Sequence, residues 1–193
     1  TFNDVDDVAR WVNAATAAVV VEPVQGTRGV VPAKGGFLGA LRSMCDATGA
    51  LLVLDESCCG IGRAGRLWAH EAYREGGTLP DMLLVGDALA GGLPIGAVLL
   101  TNEVSERLES LWAVQGWDEA HAQHPLAAGA EPHPVVCAAA VSIVERLVGD
   151  EDGGMLEAAS HKGALLQSLA KSLHTSYPDL IRQLFEVVDP KNV

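Results

Sequence analysis

The sequence predicts an α/β fold with a mostly parallel sheet, formed by a single domain over residues 1–193. Three short, apolar runs have the composition of buried parallel strands: Ala17–Glu22, Leu51–Asp55 and Asp81–Val85. Helix-length segments separate these runs, which is typical of right-handed crossovers between parallel strands. An acidic residue stands at the end of each run or shortly after it: Glu22, Asp55 and Asp87.

The first half of the chain alternates helices and loops between these strands. Predicted helices, based on apolar residues at helical spacing, are Val5–Thr16, Phe37–Thr48 and Arg66–Glu75. Gly49 follows the second of them as a stop signal. Predicted loops, rich in glycine, are Pro23–Pro32 and Ser57–Gly65.

The second half begins with a strand of opposite direction. Asp87–Pro94 is too short for a crossover helix, so Ile95–Thr101 is expected to pair antiparallel with the third strand. Further helices are predicted at Asn102–Leu111, Pro134–Leu147 and Met155–Leu173. The segment Trp112–Pro132 is predicted to be a long loop, and loops of that length are usually functional or disordered.

Composition excludes several classes of protein. The chain has 193 residues, of which 49% are hydrophobic, and a formal net charge of −12. It should therefore bury a core, and it lacks the basic face that a nucleic-acid binder needs. No apolar run approaches the roughly 20 residues that span a bilayer, and the N-terminus TFNDVDDVAR lacks the features of a signal peptide. The four cysteines show no zinc-type spacing, so we expect free thiols and a cytoplasmic location.

The three acidic residues are expected at one edge of the sheet, because the carboxyl ends of parallel strands meet there. Like charges that lie close together disfavour ionisation. Three kinds of chemistry follow: a protonated carboxyl acting as a general acid, a site for a hard divalent cation, or a pocket for a cationic substrate. The simpler alternative is that these carboxylates cap helices or lie in solvated turns.

Four stretches of the chain resemble the class III, pyridoxal-phosphate (PLP)-dependent aminotransferases, such as acetylornithine and ornithine aminotransferase. They are VVVEPVQGTRGVVP (19–32), LRSMCDATGALLVLDESCCGIGRAGRLWAHE (41–71), PDMLLVGDALAGGLPIGAVL (80–99) and HPVVCAAAVSIVERL (133–147). The resemblance runs from Val5 to about Leu173. It implies the large domain of a fold type I PLP-transferase, usually dimeric, with the cofactor at the strand ends.

The chain departs from the family pattern at positions that contact the cofactor. The family's "AKALGGGLPIGA" reads GDALAGGLPIGA here, so the Schiff-base lysine falls on Asp87, which cannot form that bond. Asp55 matches the aspartate that pairs with the pyridine nitrogen. The glutamine that contacts the ring hydroxyl falls on Cys58, and the asparagine of "STYGGNPLA" falls on His133.

Whole segments of the family also have no counterpart here. The resemblance lacks the N-terminal part, with its Gly-rich phosphate-binding turn and ring-stacking residue. It also lacks the C-terminal small domain, with its arginine for the substrate carboxylate. We therefore expect a truncated large domain that binds no PLP and does not carry out conventional transamination.

The first functional hypothesis is a repurposed enzyme that works without PLP. Its candidate catalytic residues, which would line the old cofactor cleft, are Glu22, Asp55, Cys58, Asp87 and His133. Such a set could catalyse proton transfer, elimination, isomerisation or cyclisation of a small metabolite. In this scheme Asp87 is the acid and His133 the base, since histidine titrates near neutral pH. Candidate substrate-binding residues are Gln25, Arg63 and Trp117.

Simpler interpretations of these side chains remain open. His133 is also explained as a loop histidine before a helix, and Cys58 as a plain buried cysteine. Arg63 is also explained as a surface residue paired with Glu56 or Glu71.

Two other functional hypotheses remain open. The first is a catalytically inactive pseudoenzyme that forms a homodimer, or that pairs with an intact aminotransferase to assemble or regulate it. The second is a metal-binding variant that combines the acidic residues with His121 or His124, although a His-x-x-His pair in a loop is usually solvated.

Overall fold

A computed structural model describes residues 1–73, 79–86, 88–114, 133–149 and 154–178. Its strands in chain order are β1 (Ala18–Val21), β2 (Val24–Gln25), β3 (Val31–Pro32), β4 (Leu51–Asp55), β5 (Met82–Val85) and β6 (Ala97–Leu100). Its helices are α1 (Val5–Ala9), α2 (Phe37–Thr48), α3 (Asn102–Val114), α4 (Pro134–Val148) and α5 (Gly154–Ser176). A 3-10 helix covers Ala69–Tyr73.

Four of the strands form one sheet in the order β1–β4–β5–β6. β4 runs parallel to both β1 and β5, whereas β6 runs antiparallel to β5, with Val85 opposite Ala97. β2 and β3 form a separate antiparallel pair within the loop between β1 and α2. The predicted α/β fold with a mostly parallel sheet is confirmed, and so is the antiparallel fourth strand.

The helix α2 has the bounds that the sequence predicts. Its apolar residues recur at helical spacing, and the buried ones are Phe37, Leu38, Leu41 and Cys45. Gly49 ends the helix with a φ of 77°, and its N–H donates to the Cys45 carbonyl at 2.8 Å. Such a left-handed cap favours glycine. The buried face packs against β1 and β4 and forms one side of the hydrophobic core.

The helix α1 is shorter than predicted, ending at Ala9 rather than Thr16. Side-chain hydrogen bonds explain the early end. The Asn13 carboxamide oxygen accepts from the Ala15 N–H at 2.9 Å, and the Thr16 hydroxyl accepts from the Asn13 N–H at 3.0 Å. Local bonds of this kind compete with the helical pattern and favour a turn.

Two further predictions about local structure are wrong. The first strand was expected to be a buried strand, yet Val20 is 63% exposed, because only the Val19 and Val21 side of β1 packs against the core. The helix expected over Arg66–Glu75 is the short 3-10 helix instead, and residues 74–78 lie outside the described ranges.

The helices α4 and α5 close over the loop that follows β4. Ile143 and Leu147 of α4 pack against the core. At Gly65, a Cβ atom would lie 2.9 Å from the Cβ of Ser160, so glycine allows α5 to approach the loop. Within the described ranges, no helix is long and apolar enough to cross a membrane.

Candidate functional site

The candidate site lies at the edge of the sheet where the parallel strands end. Val21 of β1 pairs with Leu54 of β4, and Asp55 pairs with Leu84 of β5, so the three strands end at the same level. Glu22 therefore follows β1 beside Asp55, and Gly86 follows β5 two residues after Leu84, the partner of Asp55. Asp87, the third predicted carboxylate, lies outside the described residues.

Asp55 is the half-buried last residue of β4, and Ser57 holds its carboxylate. The Ser57 hydroxyl donates to Asp55 Oδ1 at 2.6 Å, and the Ser57 backbone N–H donates to the same oxygen at 3.0 Å. Oδ2 has no hydrogen-bond partner in the part of the chain that the structure describes.

Ser57 in turn packs against the end of β5. A Cβ atom on Gly86 would lie 3.1 Å from the Cβ of Ser57, a tight contact that leaves little room for a side chain at residue 86. The Glu56 backbone N–H donates to the Leu84 carbonyl at 2.9 Å and fixes the chain between Asp55 and Ser57. Sequence reasoning missed Ser57, and the only signal for it was its position two residues after Asp55, where a serine N–H and hydroxyl can both reach a carboxylate.

Glu22 lies half-buried beyond the end of β1, and its Oε2 accepts from the Gly26 N–H at 3.4 Å. Gln25 belongs to β2, where it pairs with Val31. Both residues therefore belong to the connection between β1 and β3. Their predicted catalytic and substrate-binding roles remain predictions.

The adjacent cysteines differ in environment. The expectation that Cys58 is a buried cysteine is wrong, because Cys58 is exposed and its neighbour Cys59 is the buried one. Burial, together with the negative charge of Glu56, raises the pKa of the Cys59 thiol to about 12. Arg63 donates from Nη1 to the Cys58 carbonyl at 3.0 Å and so closes the loop between them. A thiolate at Cys59 is therefore disfavoured at neutral pH.

Glu56, which the sequence suggested only as a surface partner of Arg63, is fully buried and binds elsewhere. Its carboxylate accepts from the backbone N–H groups of Ala69 and His70, at 2.6 and 2.8 Å. The His70 Nδ1 lies 2.6 Å from Oε1 of the same carboxylate. Glu56 therefore anchors the 3-10 helix beneath the candidate site.

His133 lies at the start of α4, where its Nδ1 accepts from the Val135 N–H at 3.3 Å. It is exposed and caps the helix, and no hydrogen bond or ion pair of the described residues joins it to Glu22 or Asp55. Its assignment as a base therefore stays a prediction. Trp117, His121 and His124 lie outside the described residues.

Comparison with known proteins adds a family match to this geometry. The model of the family "Aminotransferase class-III" matches residues 2–185. An acetylornithine aminotransferase of Rhodobacter capsulatus is 35% identical over 183 residues, which cover 95% of this chain and 42% of that protein.

Solved structures share the fold. The N-acetylornithine aminotransferase of Stenotrophomonas maltophilia is 32% identical with a TM-score of 0.64, over 94% of this chain and 40% of that chain. The ornithine aminotransferase of Toxoplasma gondii is 28% identical with a TM-score of 0.69, over 89% of this chain and 36% of that chain. The latter structure is described as showing partial occupancy of PLP at the active site.

These relatives overturn one expectation. The sequence departures suggested a site with no cofactor, but the matching proteins are aminotransferases, and PLP occupies the active site of one of them. The expectation inferred loss of the cofactor from Asp87 and from the family segments without a counterpart here, although a cofactor ring is also held by noncovalent contacts such as that of Asp55.

The described residues fit the ring of this cofactor. Asp55 Oδ2 is a half-buried carboxylate oxygen without a partner in the described part, and a carboxylate is the natural acceptor for a protonated ring nitrogen. Asp55 would hold that nitrogen, while the cofactor would supply the electron-withdrawing ring that class III chemistry uses. Residue 87 is an aspartate, which offers no amine for a covalent bond.

The chain spans about 42% of the length of the curated relative from Rhodobacter capsulatus. The matched region nevertheless covers residues 2–185, and the α/β fold agrees with that of the solved structures. The chain belongs to the class-III aminotransferases.

Proposed function

We propose that this chain binds a pyridoxal-type cofactor noncovalently, at the carboxyl ends of β1, β4 and β5. The observation that carries the proposal is the Asp55 carboxylate, which Ser57 holds through Oδ1 and whose Oδ2 has no hydrogen-bond partner among the described residues. The position of Asp55 in the class III pattern supports the same role. Asp87, at the position of the family's lysine, supports binding without a covalent bond.

The proposal does not include conventional transamination by this chain alone, since the residue that carries the cofactor between half-reactions is absent at position 87. The names of the relatives favour a small amino acid of the ornithine type as the second ligand. A cytoplasmic location belongs to the same proposal, and the free thiols of Cys45, Cys59 and Cys137 support a reducing compartment.

Titration with pyridoxamine 5′-phosphate tests the noncovalent part, because this ligand has the ring and the phosphate but no aldehyde. We expect saturable binding to the wild type, followed by the intrinsic fluorescence of the ligand. Asp55→Asn should weaken this binding by about tenfold or more, because the charge that faces the ring nitrogen is lost. Asp46→Asn, a change at an exposed aspartate on α2, serves as the control and should bind like the wild type. Equal affinity of both variants would refute the proposal.

The covalent part is tested by restoring the lysine. After incubation with PLP and borohydride reduction, we expect no covalent label on the wild type at residue 87. Asp87→Lys should acquire a label at that residue, detected by peptide mass spectrometry. The control Asp46→Lys places the same new amine on α2 and should gain no specific label. A label that is equally strong in the two variants would contradict a cofactor site next to residue 87.

A second candidate function is association with another aminotransferase-like chain, including a second copy of itself. The described part of α5 carries apolar side chains that are each about half exposed or more: Leu165, Leu166, Leu169 and Leu173. Exposed apolar stripes of this kind mark contact surfaces. Light scattering across a concentration series would detect self-association, and Leu166→Lys should reduce it. A monomer at all concentrations would refute the homodimer.

A further inference from the structure

Arg28 is an exposed arginine at the tip of the β2–β3 hairpin, which directly follows β1. Within the described ranges, its guanidinium makes no hydrogen bond and no ion pair. Carboxylates are plentiful, because Asp and Glu outnumber Lys and Arg in the chain by 25 to 13, yet none of the described ones pairs with Arg28. Among the described residues, the donors of Arg28 are therefore unused.

The base of this hairpin is held on several sides. Val24 of β2 pairs with Pro32 of β3. Next to that pair, the Ala33 N–H donates to the Pro23 carbonyl at 2.9 Å. The Asn3 carboxamide donates to the Pro32 carbonyl, also at 2.9 Å, and ties the hairpin to the segment before α1. The hairpin therefore projects from the end of β1 as a fixed element.

The tip of the hairpin has a strained backbone. The Val30 N–H donates to the Gly26 carbonyl at 3.2 Å and closes a turn around Arg28. Gly29 and Val30 both have a positive φ, of 99° and 56°. A β-branched residue rarely adopts that conformation, and strained residues of this kind cluster at functional sites. The turn thus fixes the Arg28 backbone, although the conformation of Val30 is unfavourable.

The hairpin lies at the sheet edge that carries the candidate site. The carboxylate of Glu22, directly after β1, accepts from the Gly26 N–H at 3.4 Å, where the turn begins. The Val24 backbone lies close to the thiol of Cys59, in the loop after β4. The hairpin therefore adjoins the ends of both strands, and Arg28 brings a positive charge beside the proposed cofactor site.

We propose that Arg28 binds the carboxylate of an amino acid that occupies the site together with the pyridoxal-type cofactor. A guanidinium suits this role, because its planar donors can bind both oxygens of a carboxylate at once. The inference rests on the proposed cofactor site and adds the residue that recognises the second ligand. Every amino acid carries such a carboxylate, so the test does not require the natural substrate.

The experiment uses two stable adducts of the cofactor as probes, followed by their intrinsic fluorescence. Phosphopyridoxyl-L-alanine carries a carboxylate, and phosphopyridoxyl-ethylamine is the same molecule without it. The wild type should bind the alanine adduct about tenfold or more tightly than the ethylamine adduct. Arg28→Gln should weaken binding of the alanine adduct by about tenfold and leave binding of the ethylamine adduct unchanged.

Two further variants separate a direct contact from a general effect of charge. Arg28→Lys keeps the charge but loses the planar pair of donors, so it should recover only part of the affinity for the alanine adduct. Arg107→Gln removes the same charge from the exposed surface of α3, where the contact with Glu103 is 3.7 Å long. This control should bind both adducts like the wild type.

The role of Arg28 is overturned if Arg28→Gln leaves the affinity for the alanine adduct unchanged, or weakens both adducts by the same factor. In the second case Arg28 would act on the cofactor part of the probe. Both results leave the proposed cofactor site standing, because the wild type still binds. If the wild type binds neither adduct, the proposed function fails, and the role of Arg28 fails with it.

Discussion

The carboxylate of Glu56 and the imidazole of His70 lie 2.6 Å apart, from Oε1 to Nδ1, and both side chains are buried. The same carboxylate accepts from two backbone N–H groups at the start of the 3-10 helix, at 2.6 and 2.8 Å. Glu56 directly follows Asp55, so the pair connects the strand end that carries the candidate site to the segment that packs beneath it. The buried carboxylate therefore has two backbone N–H donors and the imidazole Nδ1 as partners, which offset the cost of taking a polar group out of water.

Replacement of Glu56 by glutamine should strongly destabilise the fold. The amide keeps the shape but turns an N–H₂ group toward backbone N–H groups, which leaves buried donors without acceptors. We expect a loss of roughly 2–4 kcal/mol in the free energy of unfolding, measured by urea denaturation. The control is Glu103→Gln, because Glu103 is 81% exposed and its contact with Arg107 is 3.7 Å long. A Glu56→Gln variant no less stable than this control would contradict the anchoring role.

A second prediction concerns the glycine that makes room for Glu56. At Gly60, an added Cβ would lie 2.9 Å from the Glu56 carbonyl oxygen and 3.0 Å from Oε2. The backbone here cannot yield easily, because the Gly60 N–H donates to that same carbonyl at 2.9 Å. We therefore expect Gly60→Ala to cost about 1–3 kcal/mol in the free energy of unfolding.

The matched control for that change is Gly35→Ala, where an added Cβ meets nothing within 4 Å. Gly35 also has no positive φ, so alanine should be neutral or slightly stabilising there, by roughly 0.4–1 kcal/mol, through the unfolded state. Urea denaturation of the two variants gives the comparison. Equal effects at the two positions would show that the close approach to Glu56 does not matter for stability.

The third prediction concerns the two carboxylates that share Arg42. Asp81 Oδ2 accepts from Arg42 Nη1 at 2.7 Å and from the Leu52 N–H at 2.6 Å, and so joins α2 to the sheet. Asp46 meets the same guanidinium at 2.7 Å but is 64% exposed, against 23% for Asp81. We expect Asp81→Asn to lower the free energy of unfolding by about 1–3 kcal/mol.

Asp46→Asn should have a much smaller effect, because solvent and salt screen an exposed pair. The measurement is urea denaturation at low and high salt, where the Asp81→Asn effect should depend less on salt. We attribute the larger effect at Asp81 to its lower exposure and to its second hydrogen bond, from the Leu52 N–H. This explanation is wrong if Asp46→Asn destabilises the chain as much as Asp81→Asn.

The sequence predicts the fold well where local signals and tertiary packing agree. The α2 helix follows from apolar spacing and from Gly49, and the antiparallel β6 follows from a connection too short for a crossover. The burial of β1 is not predictable in the same way. A run of valines looks alike whether one face or both faces are covered, and the exposure of Val20 depends on neighbours elsewhere in the chain.

In the candidate site, too, the sequence predicts the residues with local signals and misses those that depend on distant contacts. Asp55 was predicted because it ends an apolar run and matches the family pattern. The contact between Glu56 and His70 spans 14 residues, so no local pattern indicates it, and the sequence suggested Glu56 only as one of two partners for a surface Arg63. The only signals were a charged residue directly after a buried strand and a histidine, 14 residues later, in a mostly apolar segment.

The last prediction uses Tyr73, whose hydroxyl is buried without a hydrogen-bond partner in the described part of the chain. The Ala33 N–H, which lies near that hydroxyl, donates to the Pro23 carbonyl instead. A buried hydroxyl without a partner is unfavourable. At neutral pH, Tyr73→Phe should therefore be neutral or should raise the free energy of unfolding, as measured by urea denaturation.

The same change should alter the response to alkaline pH. Burial, followed by the nearby thiol of Cys59, raises the pKa of Tyr73 from 10.0 to about 12. The unfolded chain therefore releases the phenolic proton at a lower pH than the folded chain. The stability that this group contributes is complete below pH 10 and is lost as the pH rises toward 12.

Tyr73→Phe should remove the part of the alkaline loss of stability that is due to Tyr73. It should leave the part due to Cys59, whose pKa is also raised to about 12. Tyr177→Phe, at a tyrosine that is 55% exposed, is the control and should keep the profile of the wild type. An alkaline profile of Tyr73→Phe that matches the wild type would show that Tyr73 stays protonated or becomes hydrated without cost to the fold.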